Sequence, residues 1–559
     1  MANTKTSALT ELAPGAVVDG DFFLVLDTSD TTQGAGGSLK KIGLGGLQAA
    51  ANAAALNDIG APGKQGFGVG IAPTIPSGYA AMAGTYDKGS DNYGNYRYSD
   101  GSVMCWVPAF YFRIGHASNP TYALHGVNSI SIVPLSAYAS EAAANAASYY
   151  LHRAFVNAGA NQLGFFRDKY DCSANGVIAS SIRNAAPMVS GPGAGQTGFS
   201  AVTGGVNNYG GAISAAKSRG TQFFPESVFI ADALCRISEA HAQAAVSQTY
   251  CAWFDASGVR NYPKGNDNSA LRSEADVSKN AAGAVTFTTA GAGAASSFAL
   301  TGSGVPFART THNGQANGIA DVAGNIYKIN PGMTCIAAAK TITGATQANP
   351  VSITIAAHGY TTGDVVQIGS VGGMTQINDK LFQITVTGTN TFTLDACDGT
   401  GFGAYTSGGS ATKGVFYTLK TSVDIAAVTS GATLSTDHWG ATGVAAQFDA
   451  FTPVWRTDYP NNGLGLRYGN AAVAVFDMAT AGGRVNAMMG MPAALGVSSG
   501  GSNAMGLDYF YQYIRDQLCV LSRGSWNAGS YAGSRFRVLH YNWTVAATDV
   551  GFACASYLP

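Results

Sequence analysis

The cysteines are the residues of this sequence with the most specific potential chemistry. Eight are present, namely Cys105, Cys172, Cys235, Cys251, Cys335, Cys397, Cys519 and Cys554. None forms a C-x-x-C pair and most have apolar neighbours, so we expect buried free thiols in place of disulfides or thiolate metal ligands. The sequence also lacks an H-E-x-x-H motif. It therefore predicts no active site, no bound metal and no cofactor.

Acidic and histidine side chains offer two further candidates for chemistry. Asp168 and Asp171 of the sequence DKYD, and Asp91 and Asp100 at the ends of residues 91–100, have the oxygen ligands that Ca²⁺ prefers, but neither group has EF-hand spacing. We expect them to be solvated carboxylates of loops. His358 precedes a glycine and is predicted to be a turn residue, not a metal ligand.

The composition limits the class of protein. The chain has 559 residues, of which 73 are glycine and only 11% are charged, and its formal net charge is −1. This length suits several domains, and the glycine content suits turn-rich β structure. The sequence contains no run of basic residues that would support nucleic-acid binding. It also contains no run of about 18 apolar residues, so no membrane-spanning helix is expected. The N-terminus lacks the layout of a signal peptide, so synthesis in the cytoplasm is expected.

Apolar patterns predict the elements that position these residues. The continuous apolar run Val103–Ile114 predicts a strand buried on both faces, and Leu163–Tyr170 predicts another strand. Alternating apolar residues at 351–355 and 382–386 predict strands of a small β-barrel or sandwich. Helices are expected over 137–158, over 235–248 with Ser238 as N-cap, and over 508–518.

The closing segment, Leu518–Pro559, mixes two kinds of residue. Glycines, tryptophans and a thiol recur as in a rigid scaffold, while the residues between them follow no β alternation. Tyrosine and arginine occur among the latter, and such side chains supply much contact energy at modest entropic cost. Regularly recurring scaffold residues with irregular residues between them predict a surface that displays side chains to a ligand.

Four separated motifs resemble, in the same order, those of formylglycine-generating-enzyme-type C-type lectin folds. They are MCWVPAFYFRIG, CRISEAHAQAA, NGIADVAGNIYKINPG and the closing SRGSWNAGSYAGSRFRV with VGFACA. The matching residues of the second and third motifs are Arg236, Glu239, Ala240, Asp321, Gly324 and Asn325. The resemblance implies an α+β fold, in which a C-type lectin-like domain carries an inserted small all-β module and a short N-terminal segment for virion attachment or trimerisation.

These motifs divide the chain into four parts. We expect an N-terminal attachment and trimerisation segment at 1–62, the first part of the lectin-like domain at 63–333, the inserted β module at 334–418 and the second part of the lectin-like domain at 419–559. The N-terminal sequence TELAPGAVVDGDFFLVLD resembles the start of phage tail-fibre and tail-spike proteins. The inserted module resembles a small β module of phage structural proteins.

The resemblance leaves an enzymatic alternative open. Formylglycine-generating enzymes use paired cysteines within the segment that corresponds to Ser525–Val538, where this sequence has none. Cys554 matches the cysteine of their closing G-F-R-C-A motif, but we expect a core thiol there. The chain is therefore expected not to be an enzyme. The alternative is a formylglycine-generating-like oxidoreductase that has lost or moved its thiols.

The closing segment also resembles the variable proteins of diversity-generating retroelements, which include tropism determinants of phages. Their diversified Asn codons cannot become Lys, Glu, Gln, Met or Trp codons, and residues 528–550 contain none of these types except Trp543. Within a variable segment 523–555, the resemblance implies the ligand-binding residues Ala528, Tyr531, Phe536, Arg537, Val538, His540, Tyr541, Asn542, Val545, Ala547 and Asp549. The implied scaffold of the site is Trp526, Gly529, Gly533, Trp543, Gly551 and Phe552.

Together these resemblances imply a phage tail-fibre or tail-tip receptor-binding protein. It would recognise a host-cell surface receptor, protein or glycan, through a hypervariable C-terminal face. Phage tail or baseplate proteins would hold its N-terminus, and similarity to the tropism determinants implies a homotrimer. The expected location is the virion, after synthesis in the host cytoplasm, without nucleic-acid binding or membrane insertion. A cellular surface-displayed diversified ligand-binding protein is a further alternative.

Overall fold

A computed structural model describes two strands near the N-terminus and most of the chain from residue 56 onwards. The described ranges are 22–27, 38–43, 56–203, 206–256, 261–274, 283–291, 297–427, 447–469, 473–496, 505 and 507–559. Contacts divide the chain into two units, Met1–Leu56 and Asn57–Pro559. In the first unit the two strands form an antiparallel hairpin that places Phe22 opposite Gly43. The rest of the predicted attachment segment before residue 56 lies outside the described residues.

The strands are numbered in chain order. They are β1 (Phe22–Asp27), β2 (Ser38–Gly43), β3 (Tyr79–Ala81), β4 (Asn95–Tyr98), β5 (Val103–Pro108), β6 (Phe110–Ile114), β7 (Ile130–Pro134), β8 (Tyr150–Leu151), β9 (Val156–Asn157), β10 (Ala160–Asn161), β11 (Gly164–Asp168), β12 (Cys172–Asn175), β13 (Ile178–Ser181), β14 (Met188–Val189), β15 (Thr197–Gly198) and β16 (Phe224–Pro225). The later ones are β17 (Tyr327–Ile329), β18 (Met333–Thr341), β19 (Gly344–Ala345), β20 (Ser352–Thr354), β21 (Val365–Gly369), β22 (Lys380–Gly388), β23 (Thr391–Leu394), β24 (Ser410–Leu419), β25 (Phe448–Phe451), β26 (Gly465–Arg467), β27 (Tyr509–Tyr511), β28 (Leu521–Ser522), β29 (Arg537–Val538), β30 (Val550–Gly551) and β31 (Cys554–Ser556). The α-helices of the described ranges are α1 (Tyr122–His125), α2 (Glu141–Ala146), α3 (Ser200–Thr203), α4 (Tyr209–Lys217), α5 (Val228–Ala244) and α6 (Ala481–Ala487).

Three larger sheets form the body of the second unit. Sheet A has the strand order β16-β31-β11-β5-β4-β3, and sheet B has the order β26-β27-β29-β28-β17-β30. Sheet C has the order β18-β24-β21-β22-β23-β20-β19, with β25 paired to β24. The closing segment supplies β28, β29 and β30 to sheet B and β31 to sheet A. It is therefore built into two sheets, which hold its backbone in place.

This architecture corrects the expected fold class. The described residues are 28% strand and 15% helix, arranged in several sheets, and this β-rich fold does not resemble an α+β C-type lectin. Two of the three expected helices are largely missing. Residues 137–158 contain only the short helix α2 among strands and turns, and residues 508–518 contain strand β27. The expected α+β fold is therefore wrong.

The apolar run Val103–Ile114 is buried as predicted, but it forms two strands in different sheets. β5 lies between β4 and β11 in sheet A, while β6 pairs with β7 and β8 in a separate three-stranded sheet. Pro108 ends β5, because proline has no N–H to donate to a strand ladder. The following N–H, that of Ala109, donates to the carbonyl of Leu163 at 2.8 Å. The strand predicted over Leu163–Tyr170 is confirmed as β11.

Helix α5 is buried on almost every side. Ser227 caps its N-terminus, since the side chain of Ser227 accepts a hydrogen bond from the N–H of Ile230 at 3.2 Å. Ser238, the predicted N-cap, lies in the middle of the helix, where its hydroxyl donates to the carbonyl of Leu234 at 3.1 Å. A helix buried on all faces has no amphipathic period, which explains why its first turns are not visible in the sequence.

Sheet C encloses an apolar core of its own. Ile353 of β20 lies opposite Phe392 of β23, and both side chains are fully buried. Strands occur where the alternation predicts them, with β20 inside residues 351–355 and β22 covering residues 382–386. Alternate residues of these strands fill the core, as the period of two requires. Among the helices of the described ranges, none is long and apolar enough to cross a membrane.

Candidate functional site

Six aromatic side chains form a part-exposed cluster on the closing segment and on the strand beside it. They are Tyr509, Tyr511, Tyr513, Tyr531, His540 and Tyr541, and we call this cluster the aromatic surface. Tyr531 is 46% exposed, and the other five side chains are half-buried. The members on the closing segment all belong to the ligand-binding residues expected from the sequence.

Strand β27 and the residues after it position the three tyrosines of the sequence DYFYQY. Phe510, Gln512 and Ile514 are buried, whereas the tyrosines that alternate with them are half-buried. This period of two is that of a strand with one covered face, so the tyrosines share the outer face. The N–H of Leu539 donates to the carbonyl of Tyr511 at 3.2 Å, and this bond fixes the closing segment beside β27.

The rings of the aromatic surface contact one another in an unbroken series. The ring centroids of Tyr509 and Tyr531 are 4.9 Å apart in an edge-on arrangement, and those of Tyr509 and Tyr511 are 5.9 Å apart. Tyr511 and Tyr513 lie 6.0 Å apart with an interplanar angle of 15°. The centroid of the His540 ring lies 4.8 Å from that of Tyr513 and 5.2 Å from that of Tyr541. Each such pair contributes about 0.5–1.5 kcal/mol beyond area burial, so the rings support one another.

Arg467 of β26 holds the most exposed ring of the surface. Its guanidinium carbon lies 4.5 Å from the ring centroid of Tyr531, and its Nη1 donates to the carbonyl of Ser530 at 2.8 Å. A cation over an aromatic face is attracted by the ring quadrupole, with a contribution of about 0.5–1 kcal/mol at exposed sites. The ring and its backbone are therefore fixed by one side chain that is itself buried.

Three glycines of the predicted scaffold occupy positions where a side chain does not fit. A Cβ on Gly533 would lie 1.9 Å from Oδ1 of Asp508, and a Cβ on Gly551 would lie 2.5 Å from the carbonyl oxygen of Met188. Gly529 has a φ of 56°, in the left-handed region that favours glycine. The close approaches and the left-handed turn fix the path of the closing segment.

The three aromatic residues of the predicted scaffold face inward. Phe552 is fully buried in the core cluster that joins sheets A and B, and Trp543 packs against the same cluster. The Trp526 ring contacts Phe298 at a centroid distance of 5.5 Å. These side chains anchor the closing segment to the interior, and other residues occupy its outer face.

Four of the predicted ligand-binding residues also lie in the interior. Phe536, Arg537, Val538 and Val545 are each at most 7% exposed. The Phe536 ring stacks on Tyr509 at 6.0 Å, and Nη1 of Arg537 donates to the carbonyl of Phe536 at 3.0 Å. Val538 and Val545 pack in the core cluster of sheets A and B. These side chains support the aromatic surface from within the fold.

The remaining predicted ligand-binding residues are part-exposed. They are Ala528, Asn542, Ala547 and Asp549. Oδ1 of Asn542 accepts a hydrogen bond from the N–H of Thr544 at 3.2 Å and so closes a turn. Burial raises the pKa of the Asp549 carboxyl, although a hydrogen bond from Ser525 opposes the shift. These residues border the aromatic surface.

The aromatic surface carries little charge at neutral pH. Burial, and to a smaller extent the positive charge of Arg515, lower the pKa of His540 below 6.5. Burial raises the pKa of Tyr511 to about 12 and also raises those of Tyr509 and Tyr541. These side chains are therefore neutral near pH 7 and present ring faces, ring edges and hydroxyl groups.

A buried charge cluster holds the start of the variable segment. Nη2 of Arg523 lies 2.9 Å from Oε1 of Glu226, and Nε of Arg167 lies 2.8 Å from Oε2. Burial alone would raise the pKa of Glu226, but the two guanidinium groups hold it at about 2. All three side chains are fully buried, so the loss of one partner would leave an unpaired charge in the interior.

The carboxylates of the sequence DKYD are buried, and the expectation of solvated loop carboxylates is wrong for them. Oδ1 of Asp168 lies 2.5 Å from Nη1 of Arg219, and Oδ2 of Asp171 lies 2.8 Å from Nζ of Lys328. All four side chains are fully buried. Each carboxylate is thus committed to a cation of the protein itself.

The cysteines and His358 have the environments predicted from the sequence. All eight cysteines are buried and free, which confirms that expectation. Cys554 is nevertheless not isolated, since its Sγ lies 3.5 Å from Sγ of Cys172. His358 is a turn residue as predicted, because its Nδ1 accepts a hydrogen bond from the N–H of Tyr360 at 3.0 Å.

Tyr509, Tyr511 and Tyr513 are not among the site residues expected from the sequence. A helix over 508–518 would scatter these side chains around its axis, whereas a strand places them on one face. The Tyr-x-Tyr-x-Tyr alternation is the signal that identifies them. The spacing of four between Tyr509 and Tyr513 also fits one side of a helix, so this short segment is compatible with both a strand and a helix.

Residues 349–414, which lie in sheet C, match the family model of the ubiquitin-activating enzyme E1 FCCH domain. The matched residues contain strands β20 to β23 and the first half of β24. No curated protein matches the chain. The family match describes this β module, which is a small part of the 559 residues.

This match corrects the function expected from the sequence. The matched domain comes from a ubiquitin-activating enzyme, so the expected phage tail-fibre or tail-tip receptor-binding function is wrong. The expected partners, a host-cell receptor and phage tail proteins, and the virion location are corrected in the same way. The expectation that the chain is not an enzyme is contradicted as well. The formylglycine-generating-like alternative, the cellular displayed protein and the retroelement-driven diversification gain no support.

Proposed function

We propose that the protein binds a protein or peptide ligand through the aromatic surface. The observation that carries this proposal is the unbroken series of part-exposed rings from Tyr531 to Tyr541. Tyrosine is enriched at protein interfaces, because its ring supplies a large contact area and its two χ angles lose little entropy on binding. A suitable ligand has apolar side chains that pack on the ring faces and backbone groups that hydrogen-bond to the hydroxyls.

The rigidity of the backbone under the rings supports the proposal. The N–H of Cys519 donates to the carbonyl of Tyr541 at 2.8 Å, and the N–H of Trp543 donates to the carbonyl of Gln517 at 2.9 Å. The first bond lies within the closing segment and the second joins this segment to the residue just before it, so both fix the backbone at the Tyr541 end of the ring series. A preorganised surface loses less free energy to ordering when a ligand binds.

Selection from a random-peptide library displayed on yeast tests the proposal with the immobilised full chain. The triple variant Tyr511→Ala/Tyr513→Ala/Tyr531→Ala serves for counter-selection. Peptides enriched on the wild type are expected to be retained when clones that bind the variant are removed, because they should fail to bind the variant. Enriched peptides that bind the folded triple variant as well as the wild type would show that binding occurs elsewhere.

The family match favours a second candidate function. We propose that residues 349–414 contact ubiquitin or a ubiquitin-like protein, as part of an activity similar to that of ubiquitin-activating enzyme. Cys397 lies in this module, but it is fully buried and burial raises its pKa to about 11. The module is therefore suited to contact and not to thioester formation.

Titration of isotope-labelled ubiquitin with the full chain tests the second candidate. Shifted or broadened amide signals on one face of ubiquitin are expected, and a variant that carries a charge on the exposed face of the module, Thr385→Lys, should weaken them. Thr385 is exposed on β22. Unchanged ubiquitin spectra at saturating concentrations of the chain would contradict this candidate.

A further inference from the structure

Two thiols from distant parts of the sequence meet in the interior. Cys172 is the first residue of β12 and Cys554 is the first residue of β31. Their Sγ atoms are 3.5 Å apart, and both residues are fully buried. The N–H of Cys172 donates to the carbonyl of Phe552 at 3.1 Å, so the two backbones are also close. A covalent disulfide of about 2.05 Å needs only a small approach of the two sulfur atoms.

Asp168 organises the two thiols. Its Oδ2 accepts a hydrogen bond from Sγ of Cys172 at 3.1 Å and another from the N–H of Cys554 at 2.7 Å. Arg219 pairs with the same carboxylate, with Nη1 2.5 Å from Oδ1. Nη2 of Arg219 lies 3.8 Å from Sγ of Cys172. The pair thus has a proton acceptor at Cys172 and a positive charge beside the same sulfur.

The surroundings of the two thiols favour a redox pair over a metal site. The ligand atoms of Asp168, Cys172 and Cys554 lie within 4.8 Å of one another, which would suit a metal ion. The guanidinium of Arg219 already neutralises the carboxylate and would repel a cation at this point. Asp100 is the second partner of that guanidinium, 3.2 Å from its Nε, so Arg219 is held in place.

We propose that Cys172 and Cys554 are a covalent modification site, at which a peroxide converts the two thiols into a disulfide. In the first step the sulfur of Cys172 attacks one oxygen of hydrogen peroxide and forms a sulfenic acid as the O–O bond breaks. Asp168 takes the thiol proton and passes it to the departing hydroxide, which leaves as one water. In the second step the thiol of Cys554 attacks that sulfenic acid and displaces a second water. Two electrons pass from the two sulfur atoms to the peroxide.

Burial sets the rate of this modification. Burial strongly raises the pKa of Cys172, and the neighbouring Cys554 adds to that shift. Because the thiolate is the reactive form, the reaction is slow and needs sustained exposure to a small oxidant that can enter the interior. The product ties the last strand of the chain to β12 and so restrains the end of the closing segment.

Thiol counting and peptide mapping on the native full chain test the proposal. After peroxide treatment, denaturation and alkylation, we expect the loss of two of the eight thiols and a cross-linked peptide that joins Cys172 to Cys554. The variants Cys172→Ala and Cys554→Ala should each give no cross-link, whereas Cys519→Ala, which removes another buried thiol, should retain it.

The wild-type experiment decides the question even if a variant fails to fold. Recovery of all eight free thiols, or oxidation to sulfinic acid without a cross-link between Cys172 and Cys554, would overturn the proposal. Stoichiometric zinc that co-purifies with the chain and protects both thiols from peroxide would also overturn it, since the site would then be a metal site.

Discussion

Arg523 and Glu226 lie 297 positions apart in the sequence, yet Nη2 of Arg523 is 2.9 Å from Oε1 of Glu226 in the interior. Arg523 has a φ of 80°, in the left-handed region that is unfavourable for residues other than glycine. Glu226 directly precedes Ser227, the cap of helix α5. The pair therefore joins the start of the variable segment to the start of the most buried helix, and it holds Arg523 in a conformation that its sequence does not favour.

Glu226→Gln is expected to destabilise the fold. It leaves the guanidinium groups of Arg523 and Arg167 without their carboxylate, and breaking a buried pair costs about 3–5 kcal/mol. Chemical denaturation followed by circular dichroism measures the free energy of unfolding. The exposed Glu141 provides the control Glu141→Gln, which should change the free energy by at most about 0.5 kcal/mol. Equal effects of the two variants would contradict the role of the buried pair.

The same pair predicts a loss of stability in acid. The pKa of Glu226 is held at about 2, below its ordinary value of 4.5. A depressed carboxyl pKa stabilises the folded state fully above the unfolded pKa, and this stabilisation declines as the pH falls from 4.5 towards 2. The stability difference between the wild type and Glu226→Gln should therefore shrink across this range. A difference that does not depend on pH would exclude the predicted linkage.

Gly533→Ala is expected to destabilise the protein by about 1–3 kcal/mol, as overpacking usually does. The new Cβ would lie 1.9 Å from Oδ1 of Asp508. Displacement of Asp508 would also weaken the 2.8 Å hydrogen bond that its Oδ2 accepts from the N–H of Arg535. The matched control is Gly482→Ala in helix α6, where no atom lies within 4 Å of the added Cβ and alanine should be neutral or stabilising. Thermal unfolding of both variants checks the prediction, and similar transition temperatures would contradict it.

Arg515→Ala is expected to raise the pKa of His540. Burial is the main cause of the lowered pKa and the charge of Arg515 adds to it, so the pKa should rise without returning to 6.5. A lowered histidine pKa stabilises the folded state above pH 6.5 and loses this contribution as the pH falls below that value. Titration of the imidazole carbon-bound proton by nuclear magnetic resonance measures the pKa. An unchanged or lower pKa in the variant would show that Arg515 does not act on the ring.

The parts of the fold that follow a simple period could be predicted from the sequence. The apolar run Val103–Ile114 is buried, and the strands of sheet C follow their alternation. After Pro108 the second half of this run belongs to a different sheet from the first half. The sequence does not show this change, because the strands that pair with each half lie far away along the chain. The sequence predicts Ser238 as the cap, whereas helix α5 begins at Val228 after its cap Ser227, since burial on all sides removes the amphipathic signal of the first turns.

The candidate site could be predicted only in part, and for a related reason. Tyr531 and His540 are part-exposed, but Phe536 between them and Val545 after them are buried. A segment without regular alternation does not show which of its residues face inward, because that depends on turns and on contacts with other strands. Tyr511 belongs to the surface through the pairing of β27 with β29, a long-range contact that a local pattern does not contain.

The affinity of an enriched peptide for single-residue variants tests the central claim most directly. Isothermal titration calorimetry on the full chain should show that Tyr511→Ala and Tyr513→Ala each weaken binding about tenfold or more, the size expected for an aromatic hot spot. Tyr417→Ala, which alters a half-buried tyrosine of β24 in sheet C, should leave the affinity unchanged. Wild-type affinity in Tyr511→Ala and Tyr513→Ala, or an equal loss in Tyr417→Ala, would contradict binding through the aromatic surface.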